Sequence, residues 1–348
     1  MTTPTVPAPA PAAAARPGEL QWDAAVALLR GAERVVLACH VAPDGDALGS
    51  MLALGLALRR RGTGVLATWG EEPLTVPAPY AGLPGLDLLV PPSEVPAAPE
   101  VLVTLDTGST DRLGLLAGAA AAAERVLVVD HHPSNTGFGT HLLVDVAAPA
   151  TAVLVEELVR RLGVPLDAEL AAPLYAGVST DTGSFRYAAV TAATHEMAAR
   201  LLATGLRHDL IARAVYDTAP FGYVQLLGAV CARARLESEA VGGLGLVWTS
   251  VTAEDRRAAG LPLTQVEGVI DAVRVAEEAE VAVVLKVDDD GTVKVSTRSK
   301  GAVDVGAVCT ALGGGGHRFA AGFTSHDDVV TTLARLREAL ATAPHLPG

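Results

Sequence analysis

Short apolar runs and longer amphipathic stretches alternate along most of this chain, and the alternation predicts its elements. After a helix over 21–30, the run Arg34–Cys39 (RVVLAC) is apolar, rich in β-branched residues and bounded by polar positions. That is the pattern of a strand buried on both faces. The runs 65–69, Val101–Leu105 (VLVTL) and 125–129 (RVLVV) repeat it, and 142–144 is a shorter fifth case. Helical spacing falls between and after them, over 47–60, 151–162 and 169–178. Strands alternating with helices imply βαβ units and an α/β fold with a doubly wound parallel sheet.

Beyond residue 191 the pattern turns helical and strand-free, then changes again. A strand over 244–248 is followed by helices over 253–259 and 266–278 and by strands over 281–287 and 292–297. The last two flank a hairpin at Asp289, Asp290 and Gly291. A helix over 305–312 leads into GGGGH, and a helix over 329–340 closes the pattern. The expected organisation is a disordered tail over 1–18, a first domain over 19–190, a helical connector over 191–235 and a smaller mixed α/β domain over 236–345. The site is expected in the cleft between the two domains.

Composition narrows the picture. The chain has 348 residues, half of them hydrophobic and only 4% aromatic, which favours helices packed through Ala and Leu over an aromatic-rich sandwich. A net charge of −13 leaves no room for the broad basic face that grips long duplex DNA. An anionic partner must then be small, or be met by local positive charge. Cys39, Cys231 and Cys309 are widely spaced and form no CxxC pair, which argues against a disulfide framework or structural zinc and fits a reducing cytoplasm. The Pro/Ala-rich tail has no basic n-region, and the longest apolar stretch, 47–58, is too short to span a bilayer. A soluble protein with no membrane partner is expected.

The chemistry gathers at strand ends, where open α/β sheets bind ligands. The first strand runs into His40, Asp44 and Asp46 (HVAPDGDALGS). The third ends at Asp106 (LDTGS), the fourth at Asp130, His131 and His132, and a helix opens into Asp181 (TDTGSF). Singly, each has a plain alternative: an Asp beside Gly is often a turn or helix-cap residue. Jointly, carboxylates brought to one edge repel unless cations neutralise them. Mixed His/Asp ligation suits two divalent ions, Mn²⁺ first, with Mg²⁺ or Co²⁺ as alternatives. With two such ions close together, one carboxylate can bridge them and a shared water becomes the nucleophile.

At these residues the sequence resembles the DHH phosphoesterase family, whose naming triplet stands here as Asp130, His131 and His132. HxxPDGDAxGS at 40–50, LDTGS around Asp106 and TDTGSF around Asp181 resemble its other motifs. Arg298, Ser299, Lys300 and the GGGGH of 313–317 resemble the DHHA1 domain. Length and motif order are similar to the subgroup of bifunctional oligoribonucleases and phosphoadenosine-phosphate phosphatases. The resemblance implies one cation held by His40, Asp44 and Asp106, and another by Asp46, Asp106, His131 and Asp181, with Asp106 bridging. It implies that Asp130 orients its neighbours, or caps its strand, and that His132 contacts the reacting phosphate or protonates the leaving oxygen. Arg298, Ser299, Gly315, Gly316 and His317 would bind the phosphate that is not cleaved, glycine allowing close backbone approach and arginine offering a bidentate fork. Arg112, Arg186, Lys300 and Arg318 have either a phosphate or a surface role.

The reaction so implied is two-metal hydrolysis of short oligoribonucleotides such as the linear dinucleotide pApA to mononucleotides, with 3′-phosphoadenosine 5′-phosphate as a further substrate yielding AMP. The partners would be short RNA or small nucleotides, and a homodimer is compatible with this size. The rivals are a single-strand exonuclease, a pyrophosphatase, a cyclic-dinucleotide phosphodiesterase and a non-enzymatic nucleotide sensor.

Overall fold

A computed structural model describes residues 16–346; the expected tail over 1–18 lies outside the described residues except for its last three positions. The chain divides into two compact units, the first ending at Thr218 and the second beginning at Ala219.

The first unit runs α1 (Glu19–Gly31), β1 (Arg34–Cys39), α2 (Gly45–Arg60), β2 (Gly64–Trp69), β3 (Val101–Leu105), α3 (Ala117–Ala122), β4 (Arg125–Asp130), β5 (His141–Val144), α4 (Thr151–Leu162), α5 (Ala168–Asp181), α6 (Ala192–Ala203) and α7 (His208–Tyr216). Its five strands are all parallel, in the order β2-β1-β3-β4-β5. Alternate residues serve opposite faces. Leu37, Cys39, Val103, Leu105, Leu127 and Val129 pack with the residues of α1, α2, α4 and α5. Val36, Ala38, Leu102 and Val128 pack with Leu113, Leu116 and Ala120 on the other side. This is the doubly wound sheet that the apolar runs imply.

The stretch 47–58, apolar on every side, is the central helix of this layer, as expected of a helix without a polar face. Leu48, Leu52, Leu54, Leu56 and Leu58 in α2 are all essentially inaccessible, and each contributes roughly 1.5–3 kcal/mol relative to an exposed side chain. Small residues bring α5 and α4 close to α2. A Cβ added at Gly49 would collide with the Pro173 carbonyl oxygen. One added at Gly177 would stand 2.8 Å from Asp46 Oδ1 and 2.9 Å from the Ala152 Cβ. Neither α2 nor α4 can yield easily, because both are packed on the sheet. Gly177→Ala is therefore expected to lower stability by about 1–3 kcal/mol and to displace the Asp46 carboxylate. A thermal melt and a Mn²⁺ titration check it; a variant that melts and binds like the wild type contradicts it.

The second unit runs α8 (Phe221–Ala232), β6 (Arg235–Glu237), a kinked turn α9 (Ala240–Gly243), β7 (Leu246–Val251), α10 (Ala253–Ala259), α11 (Val269–Val273), β8 (Val281–Val287), β9 (Val293–Ser299), α12 (Val305–Ala311), β10 (Gly315–His317), β11 (Ala320–Ser325) and α13 (Val329–Ala341). Its six strands are ordered β10-β11-β9-β8-β7-β6, with β7 and β8 parallel and the other pairs antiparallel. One core lies under α12 and α13 and another under α8 and α11. The expected connector residues thus form α6 and α7 in the first unit and α8 and β6 in the second.

Two expectations are corrected here. The helix read over 266–278 is only Val269–Val273; beyond it the Ala276 and Glu277 carbonyls accept from the Lys300 ammonium instead of from helical amides. GGGGH, where the sequence pattern predicts no strand, continues into a strand whose partner, β11, has a sequence (AAGFTS) without the β-branched signature of the others. The three cysteines are free, Cys39 and Cys309 buried and Cys231 exposed. No helix among the described residues is long and apolar enough to cross a membrane.

Candidate metal centre

Strand register alone brings the acidic residues to one level. Cys39 in β1 pairs with Leu105 in β3, and Leu105 pairs with Val129 in β4. The next residue of each strand, His40, Asp106 and Asp130, therefore emerges at the same carboxyl edge. Between β1 and β3 the strand order reverses direction, which opens the crevice where doubly wound sheets bind ligands.

Asp106 stands at the centre. Its backbone is left-handed, with φ 55°, an uncommon conformation for a non-glycine residue. Its amide still continues the ladder to the Val129 carbonyl at 3.0 Å. The carboxylate is buried and receives the Thr151 hydroxyl on Oδ1 at 2.8 Å. His131 Nε2 lies 3.4 Å from that same oxygen, and His40 Nε2 lies 3.5 Å from Oδ2.

Around it stand two groups. In one, His40 Nε2 is 3.8 Å from Asp44 Oδ2. Asp44 is also the N-cap of α2, its Oδ1 accepting from the Asp46 and Ala47 amides at 3.0 Å each. The plain capping role and the ligand role thus use different oxygens of one side chain. In the other group, His131 Nε2 is 3.8 Å from Asp46 Oδ2 and 3.0 Å from Asp181 Oδ2. Asp46 is inaccessible and accepts from the amides that open α4, Thr151 at 2.5 Å and Ala152 at 2.9 Å. Asp181 is the last residue of α5, which runs beyond the expected end at 178, and the left-handed residues Gly183, Ser184 and Phe185 turn the chain away after it.

Both histidines are oriented alike. His131 Nδ1 faces the Ala148 carbonyl at 3.1 Å, and His40 Nδ1 faces the Val41 carbonyl at 2.8 Å. A proton on Nδ1 donated to these carbonyls directs each Nε2 at the carboxylates. The Arg112 guanidinium approaches His40 Nδ1 at 2.9 Å as well, in competition with Val41.

The electrostatics are those of a cluster that favours cations. Burial, together with the charges of Asp106 and Asp181, pushes the Asp46 carboxyl well above the usual carboxylate range. Burial should also raise Asp106, but His131, His132 and His40 outweigh it and hold Asp106 well below that range. Burial opposes a charge on His40, yet Asp106 and Asp44 lift it from 6.5 to about 10. His131 is raised in the same way by Asp106 and Asp181. Protons on imidazoles thus stand in for metal charge. The donor set fits divalent cations. Ligands held at about 2.0–2.2 Å from an ion stand about 3 Å or more from one another, and the spacings here run from 3.0 to 3.8 Å. His40, Asp44 and Asp106 form one group that could hold an ion, and Asp46, Asp106 and His131 form another.

Asp130 and His132 complete this edge. Asp130 is inaccessible; its Oδ1 meets His132 Nδ1 at 2.8 Å. Asp106 and Asp130 together raise His132, against its burial. All eight residues singled out in this half of the sequence therefore come together. Thr151, the Ala148 carbonyl and Asn135, which donates to Asp130 Oδ2 at 2.6 Å, belong to the same constellation and were missed. Thr151 reaches Asp106 across 45 positions, and only the fold reveals such a contact.

In the second unit, Arg298 in β9 lies opposite Ala320 in β11, and Ala320 lies opposite His317 in β10, so Arg298, His317 and Gly315 share one sheet face. Arg298 Nε is buried without a hydrogen-bond partner among the described residues. Gly316 has φ 137°, which only glycine adopts readily. Ser299 belongs to the opposite face; its buried hydroxyl donates to Glu280 Oε1 at 2.6 Å and accepts the Gly301 amide at 3.1 Å. Arg318 pairs with Asp304 at 3.4 Å, and the Arg186 Nε donates to the Gly183 carbonyl at 2.5 Å.

Comparison with known proteins agrees with this division. The N-terminal domain of the DHH family matches residues 34–178, and the DHHA1 domain matches residues 256–344. A bifunctional oligoribonuclease and PAP phosphatase NrnA of Thermus thermophilus is 35% identical over 291 residues, 83% of each chain. The Bacillus subtilis protein of the same description is 26% identical, covering 87% of this chain and 94% of that one. Among solved structures, an exopolyphosphatase-related protein from Bacteroides fragilis superposes with a TM-score of 0.82 over 93% of this chain and 96% of its own, at 23% identity, a likeness of fold.

Proposed function

Because the chain belongs to the DHH family of phosphoesterases and carries its DHHA1 domain, we propose that it hydrolyses very short oligoribonucleotides to mononucleotides and 3′-phosphoadenosine 5′-phosphate to AMP, with two divalent cations, Mn²⁺ foremost. The observation that carries this reading is the buried Asp106 carboxylate shared by two ligand groups, one on each of its oxygens. The substrate class follows the relatives described as oligoribonuclease and PAP phosphatase, which this chain matches over most of its length.

Divalent cations held by these residues would supply positive charge to offset that developing on the phosphate and would acidify the attacking water. The protein's part is placement and proton handling. His40, Asp44 and Asp106 would hold one ion, and Asp46, Asp106, His131 and Asp181 the other. Thr151 fixes the Asp106 carboxylate, and the start of α4 fixes that of Asp46. His132, held by Asp130, would give a proton to the leaving ribose oxygen. Arg298, whose buried Nε has no hydrogen-bond partner among the described residues, and the backbone of Gly315, Gly316 and His317 would bind the phosphate that is not cleaved. Ser299 would support Arg298 from beneath the strand, since its hydroxyl is committed to Glu280.

The test is Mn²⁺-dependent turnover of pApA and phosphoadenosine phosphate beside pyrophosphate and a long single strand. The two small nucleotides are expected to be turned over at least about 100-fold more efficiently than either comparator, a difference of about 2.7 kcal/mol in transition-state binding. Preference for pyrophosphate, or equal use of the long strand, overturns the substrate assignment.

A further inference from the structure

Asn135 lies five residues beyond Asp130, on a turn that no ligand role explains. Its Nδ2 donates to Asp130 Oδ2 at 2.6 Å and approaches the Thr107 carbonyl at 3.5 Å. Its Oδ1 accepts the Gly137 amide at 2.8 Å, and its own amide donates to the His132 carbonyl at 3.1 Å. The neighbouring Thr136 amide donates to the Gly108 carbonyl at 2.8 Å. The turn carrying His132 is thereby tied to the loop that carries Asp106. Asp130 is inaccessible, and its two oxygens are divided: Oδ1 takes His132 Nδ1, Oδ2 takes Asn135. A buried carboxylate with one oxygen left unsatisfied rotates to recover a donor, and here rotation would turn the imidazole.

We propose that Asn135 is a positioning residue: it clamps Asp130 so that the His132 ring is held with Nε2 toward the leaving oxygen. The inference rests on the proposed hydrolysis. In that step water oxygen forms the new P–O bond while the bond from phosphorus to the ribose oxygen breaks. The departing oxygen keeps the electron pair and takes the proton from His132 Nε2, and the proton lost by the water passes to solvent.

The experiment is a double-mutant cycle on pApA with Mn²⁺, comparing wild type, Asn135→Ala, His132→Ala and the double variant, the slow variants being followed with enzyme in excess. Asn135→Ala is expected to lower kcat about tenfold or more with KM within about twofold. In the His132→Ala background it should cost less than about twofold, because the two residues act as one unit. Mn²⁺ affinity should not change. Asn135→Asp keeps the acceptor for Gly137 but turns a carboxylate oxygen that repels Asp130 toward it in place of the donor to Asp130 and Thr107, so it should show at least the same kcat loss in a turn that is still folded. An undiminished kcat in Asn135→Ala overturns the proposal. So does an equal loss with and without His132, or a drop in Mn²⁺ affinity, which would mark a merely structural turn. A wild type that does not hydrolyse pApA removes the functional reading itself, and the inference with it; an active wild type with an additive cycle removes the inference alone.

Discussion

Asp106→Asn is expected to lower the turnover of pApA at saturating Mn²⁺ by on the order of 10³-fold or more, and to leave the chain folded. Both ligand groups draw on this one carboxylate, Oδ2 toward His40 and Oδ1 toward His131, so the substitution weakens both at once. The loss corresponds to about 4 kcal/mol of transition-state stabilisation, the scale of removing a principal electrostatic contact from a preorganised site. The fold should tolerate the change. Asparagine is isosteric, keeps an oxygen for the Thr151 hydroxyl and is among the non-glycine residues most at ease with the left-handed backbone at this position. It also removes a charge that repels Asp46. His131, His132 and His40, however, hold the Asp106 carboxyl well below the usual carboxylate range, so its charge is net stabilising without ions, and the chelated variant should stay folded but melt below the chelated wild type. Steady-state kinetics and a thermal melt decide the matter; activity within tenfold of wild type would show that Asp106 does not join the two groups.

Chelation is expected to abolish activity and to make stability depend on pH with a definite sign. In the metal-free protein His40 is lifted from 6.5 to about 10, and His131 is raised as well. A group whose folded pKa exceeds its unfolded value contributes stability that is complete below the unfolded pKa and is lost as pH rises through the folded one. The raised carboxyls of Asp46 and Asp181 act in the same direction. Chelated protein should thus lose melting temperature steadily from about pH 6.5 toward pH 10. Ions must displace the imidazole protons, so Mn²⁺ affinity should rise over this window by about tenfold or more per pH unit. Melts with and without Mn²⁺ at pH 6.5, 7.5 and 8.5 test this. An affinity that is flat across the three values would mean that the histidines do not take part.

The cluster was legible in the sequence because each candidate ligand lies at or beside the terminus of a strand or helix that announces itself. RVVLAC before His40, VLVTL before Asp106 and RVLVV before Asp130 are strands by composition, and parallel pairing levels their ends without further instruction. What could not be read depends on distant partners. Asp181 stands on a helix whose last turn was not anticipated, because Ser-Thr-Asp is a poor continuation by propensity and is kept helical by packing between α5 and α2. Thr151 and Asn135 carry no local signal, since one looks like an ordinary helix start and the other like a turn residue. In the second unit, AAGFTS forms a strand through its ladder to β9 rather than through its own propensity, and the helix begun at Val269 ends at Val273, with the carbonyl of Ala276 beyond it taken by Lys300. Such contacts join residues tens of positions apart, which periodicity does not record.

The measurement that tests the central claim most directly is the number of Mn²⁺ ions bound per chain, found by equilibrium dialysis, with pApA turnover followed on the same samples. The account predicts two ions in the wild type, turnover that appears only as the second site fills, and loss of both in Asp106→Asn. Full turnover with one ion or none would contradict it.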